Sequence, residues 1–457
     1  MKIVVAGAGA GKTTSMAHRV LARFNEMKDK KIIYVITYTN AAKDHIRKKI
    51  IEINGYIPKQ VLIETSHAFL VREVVFPFHH LLYGQQFTKV SQMKLSEVPS
   101  FKVIKIKELA ANKIIHAEKI TETAKWIISK KSNDKKETKD KRKKILAIML
   151  RYLDSIFIDE SQDIDKHLAE ILHTLDENSV NICMVGDPKQ DLRGKDAFKK
   201  MITSYKEKQL VEFIDSNRRC PISHVMLANK FISVDEEQLP LTSEIGELSF
   251  LFENDIFLKS FFDENQWDLS FIYKKNKRFS THLTDQKKYE DNLSYELKNL
   301  VTKANINPSD IDKTVYIFMK EIIKDLSNLS NNNIFAKIES KLDISLTRND
   351  KGRLKESINL NRIPPKEEGI QVSSIDSIKG LEGNRCLFIL TTDLAPYLFT
   401  EKNVSNKMTN YLYVALTRAM KELVILVTKE VEEKYNRGAI KTNFLKLNIS
   451  SKEEGYH

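Results

Sequence analysis

The chain begins MKIVVAGAGAGKTT, an apolar run that passes directly into a glycine-rich loop ending Gly11-Lys12-Thr13. Residues of these types at this spacing handle phosphate. Backbone N–H groups from Gly7, Ala8, Gly9, Ala10 and Gly11 through Thr14 would cradle the oxygens, Lys12 would reach the β and γ groups, and the Thr13 hydroxyl would ligate Mg²⁺. Ala6 stands where the eight-residue pattern usually has its first glycine. Two other readings compete. Lys2 and the apolar run could form a signal peptide with a small-residue cleavage site. A dinucleotide fingerprint is the second, but the glycines fall at 7, 9 and 11, out of G-x-G-x-x-G register. The Lys-Thr pair and the helical AHRVLARF that follows favour a nucleoside triphosphate such as ATP.

A second set of chemical groups lies at 155–163, SIFIDESQD. A short β-branched and aromatic strand delivers Asp159 and Glu160 at its carboxyl end, where open parallel sheets place their chemistry. Asp159 is placed to hold Mg²⁺, and Glu160 to polarise the water that attacks the γ-phosphate. An isolated Asp-Glu pair is usually a solvated surface pair. Beside a P-loop it reads as catalytic.

Further segments follow in a fixed order: ITYTNAAKDHI at 36–46, TSHAF at 65–69, VGDPKQ at 185–190, NRRCP at 217–221, IDSIKGLEG at 375–383 and YLYVALTRAMKELVIL at 411–426. With the P-loop and acidic box, this order resembles the UvrD/Rep branch of superfamily 1 DNA helicases. The resemblance implies that Thr37, Thr39, Asn40, His67 and Phe69 touch a nucleic-acid backbone. By the same likeness Asp187 and Gln190 sense the γ-phosphate, Arg219 and Arg418 are arginine fingers, Ser377 and Lys379 face the strand, and Glu382 meets the nucleotide. Arg218 replaces the family's aromatic beside the first finger. Fingers so distant in sequence from the P-loop require an ATP site between two lobes, so that the nucleotide cycle becomes mechanical closure.

The chain also departs from the pattern. Its first strand starts at Ile3, so the family's upstream adenine-reading glutamine is not expected, and adenine selectivity must come from elsewhere or be relaxed. After Gln190 the run DLRG lacks the usual aromatic for base stacking, leaving Tyr38 and Phe69 as candidates, with a core role equally open for Phe69. Asp376 stands where many relatives have histidine, and an anion there faces a DNA backbone poorly unless a neighbouring lysine such as Lys379 bonds it. Compact helicase-like subunits of anti-phage systems, including the Gabija type, are similar in make-up. That likeness raises an alternative function: a nucleotide-sensing subunit that regulates a partner nuclease without unwinding DNA.

These groups need a particular scaffold. The expected fold class is α/β: two RecA-like P-loop lobes with parallel sheets, each carrying a mostly helical insertion. Apolar strands at 2–6, 32–37 and 61–65 alternate with helical stretches, the βαβ pattern of such a lobe. The expected domains are 1–75 plus 146–204 as the first lobe and 76–145 as its 1B-like insertion. Residues 205–282 plus 366–457 form the second lobe, and 283–365 a reduced 2B-like insertion containing the helical TVYIFMKEIIKDL. DLSFIYKKNKRFSTHL reads as a strand and a helix of the second lobe, and 428–457 as a polar tail with a terminal helix. The run KKSNDKKETKDKRKK at 130–144 has nine basic and three acidic residues among fifteen. It reads as a solvated, partly disordered loop, or more sharply as a DNA-facing arm.

Composition agrees with this class. The 457 residues are 42% hydrophobic and 30% charged, enough for about three domains at roughly 150 residues each. No apolar stretch approaches the ~20 residues needed to span a bilayer, so no membrane partner is expected. Cys183, Cys220 and Cys386 show no C-x-x-C spacing, which suits a reducing cytoplasm and argues against a zinc or disulfide framework. A net charge of +13 points to a polyanionic partner, single-stranded or partly duplex DNA.

Overall fold

The computed structural model describes residues 1–281, 286–304, 306–362, 369–400 and 406–452. Two parallel sheets carry the first of two structural units, which comprises Met1–Gly84, Ile120–Thr281 and Ile370–His457. One sheet holds β1 (Lys2–Ala6), β2 (Ile32–Thr37), β3 (Val61–Thr65), β4 (Leu153–Ile158), β5 (Asn181–Gly186) and β6 (Val211–Ile214), in the order β3-β2-β4-β5-β1-β6. Their sequences, such as IVVA and IIYVIT, are continuous apolar runs rather than alternating ones. Such runs suit strands covered on both faces, and Ile3, Val4, Ile33, Val35, Ile156 and Ile158 are completely buried. The helices α1 (Lys12–Glu26) and α2 (Asn40–Asn54) cover this sheet through Met16, Val20, Ile46 and Ile50.

The other sheet holds β7 (Glu247–Phe252), β8 (Leu269–Ile272), β9 (Phe279–Thr281), β10 (Ile370–Ser374), β11 (Gly383–Leu390), β12 (Ala419–Val427) and β13 (Ser450–Ser451). Their order is β9-β10-β8-β11-β12-β7-β13. Every strand pair in both sheets is parallel. The α/β class with two parallel lobes is therefore present.

The second unit comprises Gln85–Lys119 and His282–Gly369. It contains α3 (Gln286–Lys303), α4 (Ile311–Asp325), α5 (Asn331–Leu342) and α6 (Arg348–Asn361) around Leu297, Val301, Ile322, Ile334, Ile338, Leu354 and Ile358. Lys94 N–H donates to Asn292 Oδ1 at 2.7 Å, and Asn292 Nδ2 donates to Lys94 O at 2.9 Å. These bonds join part of the first insertion to the start of the second one.

Three local expectations change. Residues 205–214, expected at the start of the second lobe, include β6, which pairs parallel with β1 at the edge of the first sheet. The basic run does not form a loop throughout, because Lys136–Tyr152 is a continuous helix. Its inward face carries Ile145, Met149 and the buried Arg142, whose guanidinium bonds Trp126 O at 2.7 Å and pairs with Asp134. One inward arginine with its own partners thus orders a segment that composition alone assigns to solvent. In DLSFIYKKNKRFSTHL the expected strand and helix are instead the strands β8 and β9. Asn276 turns the chain between them, its Oδ1 accepting from the N–H of Arg278 and Phe279 at 2.9 Å each, a side-chain turn that competes with helix. The tail holds helices Lys429–Tyr435 and Arg437–Lys446 before β13. The ends of the 283–365 segment, residues 366–368 of the returning lobe and 453–457 of the tail lie outside the described residues.

Candidate active site

The loops that follow β1, β2, β3, β4 and β5 all leave the carboxyl edge of one sheet. Strand order sets β1 beside β5 and β5 beside β4, which brings the P-loop, Asp187 and the Asp159–Glu160 pair together. Gly11 caps α1 in the left-handed region at φ 73°, where a side chain is disfavoured. The first N–H groups of α1 therefore point outward at a helix N-terminus, a ready anion site. Lys12 Nζ donates to Gly7 O at 3.1 Å, folded across its own loop.

Asp159 is 3% exposed and its carboxylate accepts from the Glu160 N–H at 3.0 Å. Burial, reinforced by the Glu160 charge, raises its pKa. Among the described residues it makes no ion pair. A buried carboxylate that makes no ion pair, an oxygen-only donor, fits a hard divalent ion such as Mg²⁺. Glu160 has the opposite balance. Burial pushes its pKa up, but Lys12, Lys379 and the Gln162 amide outweigh burial and the net shift is down, keeping it ionised as a base must be. Its backbone lies at φ 52°, a strained region for a non-glycine residue, costing about 1–3 kcal/mol and concentrated at functional sites. Gln162 Nε2 donates to Glu160 Oε2, and Gln162 Oε1 accepts from Asp187 N–H at 2.9 Å. Asp187 in turn holds Gln190, whose Nε2 donates to Asp187 Oδ2 at 2.9 Å.

The second lobe supplies the cations. Arg218 N–H donates to Gly9 O at 2.9 Å, which sets the NRRCP segment on the P-loop. Gly9 has φ 70°, and a Cβ there would lie 2.8 Å from Arg219 Cβ, so the loop must be glycine at this approach. Arg219 pairs with Glu382 at 2.5 Å. Arg418 is 1% exposed and donates to Val414 O at 2.9 Å and Leu381 O at 3.0 Å. Burial, followed by repulsion from Arg219, lowers its pKa. Among the described residues no carboxylate pairs with it. A desolvated guanidinium held only by neutral oxygens is set for an anion that arrives from outside.

The expected strand-facing residues divide. Thr39, Asn40 and His67 are exposed at the carboxyl ends of β2 and β3. The Thr39 hydroxyl also caps α2, accepting from Ala42 N–H at 3.1 Å. Thr37 and Phe69 do not fit their expected role. Thr37 is fully buried with its hydroxyl donating to Thr39 O at 3.2 Å, and Phe69 is 1% exposed, packed edge-on against Tyr34 at 4.8 Å. Neither can reach a strand: each points inward, where apolar packing or a local hydrogen bond outbids solvent. The Tyr38 hydroxyl is buried without a hydrogen-bond partner.

Ser377 is exposed and its hydroxyl donates to Ser374 O at 2.7 Å. Lys379 does not bond Asp376. It pairs with Asp163 of the acidic box at 2.7 Å, while Asp376 accepts from the Tyr411 hydroxyl at 2.9 Å. The carboxylate that replaces histidine is thus stabilised by a neutral donor, and the lysine ties the two lobes.

Residues 1–194 match the family described as an AAA domain. Over the whole chain, the Gabija protein GajB of Bacillus cereus is 24% identical across 98% of this chain and 97% of that protein. The ATP-dependent DNA helicase PcrA of Staphylococcus aureus is 23% identical across 94% of this chain, which spans 62% of that helicase. This chain is an ATP hydrolase of the helicase type. It resembles the UvrD/Rep-like helicases in sequence through both lobes. Among solved structures, the arterivirus nonstructural protein 10 helicase with DNA aligns with 93% of the chain at 11% identity and a TM-score of 0.39.

Sequence reasoning missed several polar residues of this ATPase site. Gln162 stood in plain view within DESQD, two places beyond Glu160. Asn217 was visible as the first residue of NRRCP. Tyr413 was visible inside YLYVALTRA, five places before Arg418, whereas Gln238 lies outside every quoted segment and only the packing of the two lobes brings it to the loop.

Proposed function

We propose that this chain is an ATP-dependent translocase of single-stranded DNA, moving 3′ to 5′, that couples hydrolysis between two RecA-like lobes to motion along the strand. The observation that supports this reading is that two arginine segments of the second lobe meet the P-loop and acidic box: Arg218 N–H donates to Gly9 O at 2.9 Å beside Arg219, and Arg418 feels the charge of Glu160. Arg418 in particular is buried without an acidic partner among the described residues.

Each residue then has a definite task. Lys12 and the loop N–H groups from Gly9 to Thr14 bind the triphosphate; the expected contribution of the Ala8 N–H does not hold, because it is buried and donates to the Tyr413 hydroxyl at 3.0 Å. Thr13 and Asp159 hold Mg²⁺, which supplies charge neutralisation on the phosphates when bound. Glu160 accepts the proton of the attacking water, its carboxylate aimed by Gln162. Gln190, steadied by Asp187, reports on the γ-phosphate. Arg219 and Arg418 meet the charge that spreads over the transferring phosphoryl group, and Glu382 hands Arg219 over as the nucleotide enters. Thr39, Asn40, His67 and Ser377 line the strand. Lys379, bonded to Asp163, links that contact to the acidic box.

Displacement of streptavidin from biotinylated single strands tests this reading. ATP-dependent release from the 5′ end, and not the 3′ end, is the expected result. Release from the 3′ end would reverse the polarity. No release from either end, with hydrolysis intact, would favour a second reading: a nucleotide-sensing ATPase that governs a partner nuclease in antiviral defence. The end-to-end match to the Gabija protein, at 97% of its length, supports keeping that reading.

A further inference from the structure

Both polar backbone groups of Ala8, in the middle of the P-loop, are bonded by side chains from the second lobe. The Ala8 N–H donates to the Tyr413 hydroxyl at 3.0 Å, and the Ala8 carbonyl accepts from Gln238 Nε2 at 3.0 Å. Tyr413 closes the ring by donating to Gln238 Oε1 at 2.9 Å. Asn217 Nδ2 donates to the same oxygen at 3.3 Å, while Asn217 Oδ1 accepts from the N–H groups of Arg219 and Cys220 at 3.0 and 2.9 Å.

The cluster is dry and anchored. Ala8, Asn217, Gln238 and Tyr413 are exposed by 1%, 0%, 3% and 1% respectively. Asn229 grips the Gln238 backbone from both sides, accepting from its N–H at 3.1 Å and donating to its carbonyl at 2.9 Å. A Cβ at Gly7 would stand 2.2 Å from Gln238 Nε2, so the loop makes room for this one amide. Burial holds the Tyr413 pKa far above neutrality, and its hydroxyl stays a donor and acceptor across the physiological range.

We propose that Gln238 is a positioning residue for ATP hydrolysis: its side-chain amide fixes the P-loop at Ala8 and, through Asn217, sets the first finger Arg219 in register with it. The proposal rests on the reading of Arg219 as a finger. The physical basis is that buried polar groups demand partners, and Ala8 finds both of its partners in the opposite lobe. The Asn217 carboxamide divides its two ends between Gln238 and the finger segment. A shift of the second lobe therefore moves the loop and the finger together. The later N–H groups of the loop, which face the phosphates, are untouched by the ring.

Steady-state ATP hydrolysis by the full chain without DNA tests this. Gln238→Glu keeps the shape but replaces the donor with an oxygen facing the Ala8 carbonyl. It should lower kcat/KM per folded active site by about ten- to a hundred-fold, mostly through kcat, and it should lower the thermal midpoint as well, because the new oxygen is buried without a donor. Introduced on top of Arg219→Ala it should cost less than about three-fold more, because its effect runs through the finger. Tyr413→Phe removes one hydroxyl from the ring and should show the same two behaviours in milder form; it serves as the test if Gln238→Glu does not fold. A merely structural role would lower the active fraction while leaving kcat per active site and KM unchanged, or would multiply fully with Arg219→Ala. Either of these results overturns the proposal. A wild-type ATPase indifferent to DNA would refute translocation while leaving this inference standing.

Discussion

Arg219 and Glu382 form a 2.5 Å ion pair beside the P-loop segment that Arg218 holds, with side-chain exposures of 24% and 44%. A half-exposed pair contributes little to stability, on the order of 0–1 kcal/mol, so its consequence is functional. The carboxylate competes with phosphate for the guanidinium. Glu382→Gln should therefore tighten ATP binding a few-fold, while Arg219→Ala should lower kcat by about a thousand-fold with KM little changed. Titration with a fluorescent ATP analogue and steady-state rates check both; weaker ATP binding by Glu382→Gln would contradict the competition.

The buried guanidinium of Arg418 sets stability against activity. Its charge is desolvated and unpaired among the described residues, so Arg418→Met should leave the thermal midpoint unchanged or raised. The same change should cut turnover by about a thousand-fold. Calorimetry with a steady-state assay reads both quantities. A large drop in the midpoint would show that the carbonyl bonds to Val414 and Leu381 matter more than the charge.

How legible the site was follows from how local each residue's task is. Lys12, Thr13, Asp159 and Glu160 were readable because a single strand and the turn after it place them. Arg219 and Arg418 were readable from the order of short segments. Phe69 was left between strand and core since one aromatic in TSHAF has the same spelling whether it faces a base or Tyr34. The partner of Lys379 was not legible because Asp163 lies 216 positions away, and only the meeting of the lobes brings them together. The strands β1 to β3 were legible to the residue from their apolar runs, whereas the turn at Asn276 depended on a side-chain bond that propensity does not reveal.

Gln162 offers a narrower test. It bonds the Glu160 carboxylate and the Asp187 N–H together, so Gln162→Leu should misdirect the base. Turnover should fall by about ten- to a hundred-fold, with ATP affinity within about three-fold of wild type. Single-turnover hydrolysis beside equilibrium binding separates the two effects.

His224 predicts an acid limb of stability. It is fully buried, and burial lowers its pKa to about 4. The unfolded imidazole titrates near 6.5, so between these values the unfolded chain holds a proton that the folded chain rejects. Stability from this residue is complete above pH ~6.5 and is lost as pH falls towards 4, by up to ~3 kcal/mol. Urea midpoints for wild type and His224→Asn at pH 7 and 4.5 check this. The variant should lose less stability between the two values than wild type does; an equal loss would remove His224 as a cause.

The most direct test of the central claim is ATP hydrolysis by the purified chain with and without single-stranded DNA, beside Glu160→Gln. Strong stimulation by single strands is expected, with Glu160→Gln binding ATP but turning over about a hundred- to ten-thousand-fold more slowly. Hydrolysis indifferent to DNA, or wild-type turnover by Glu160→Gln, would contradict it.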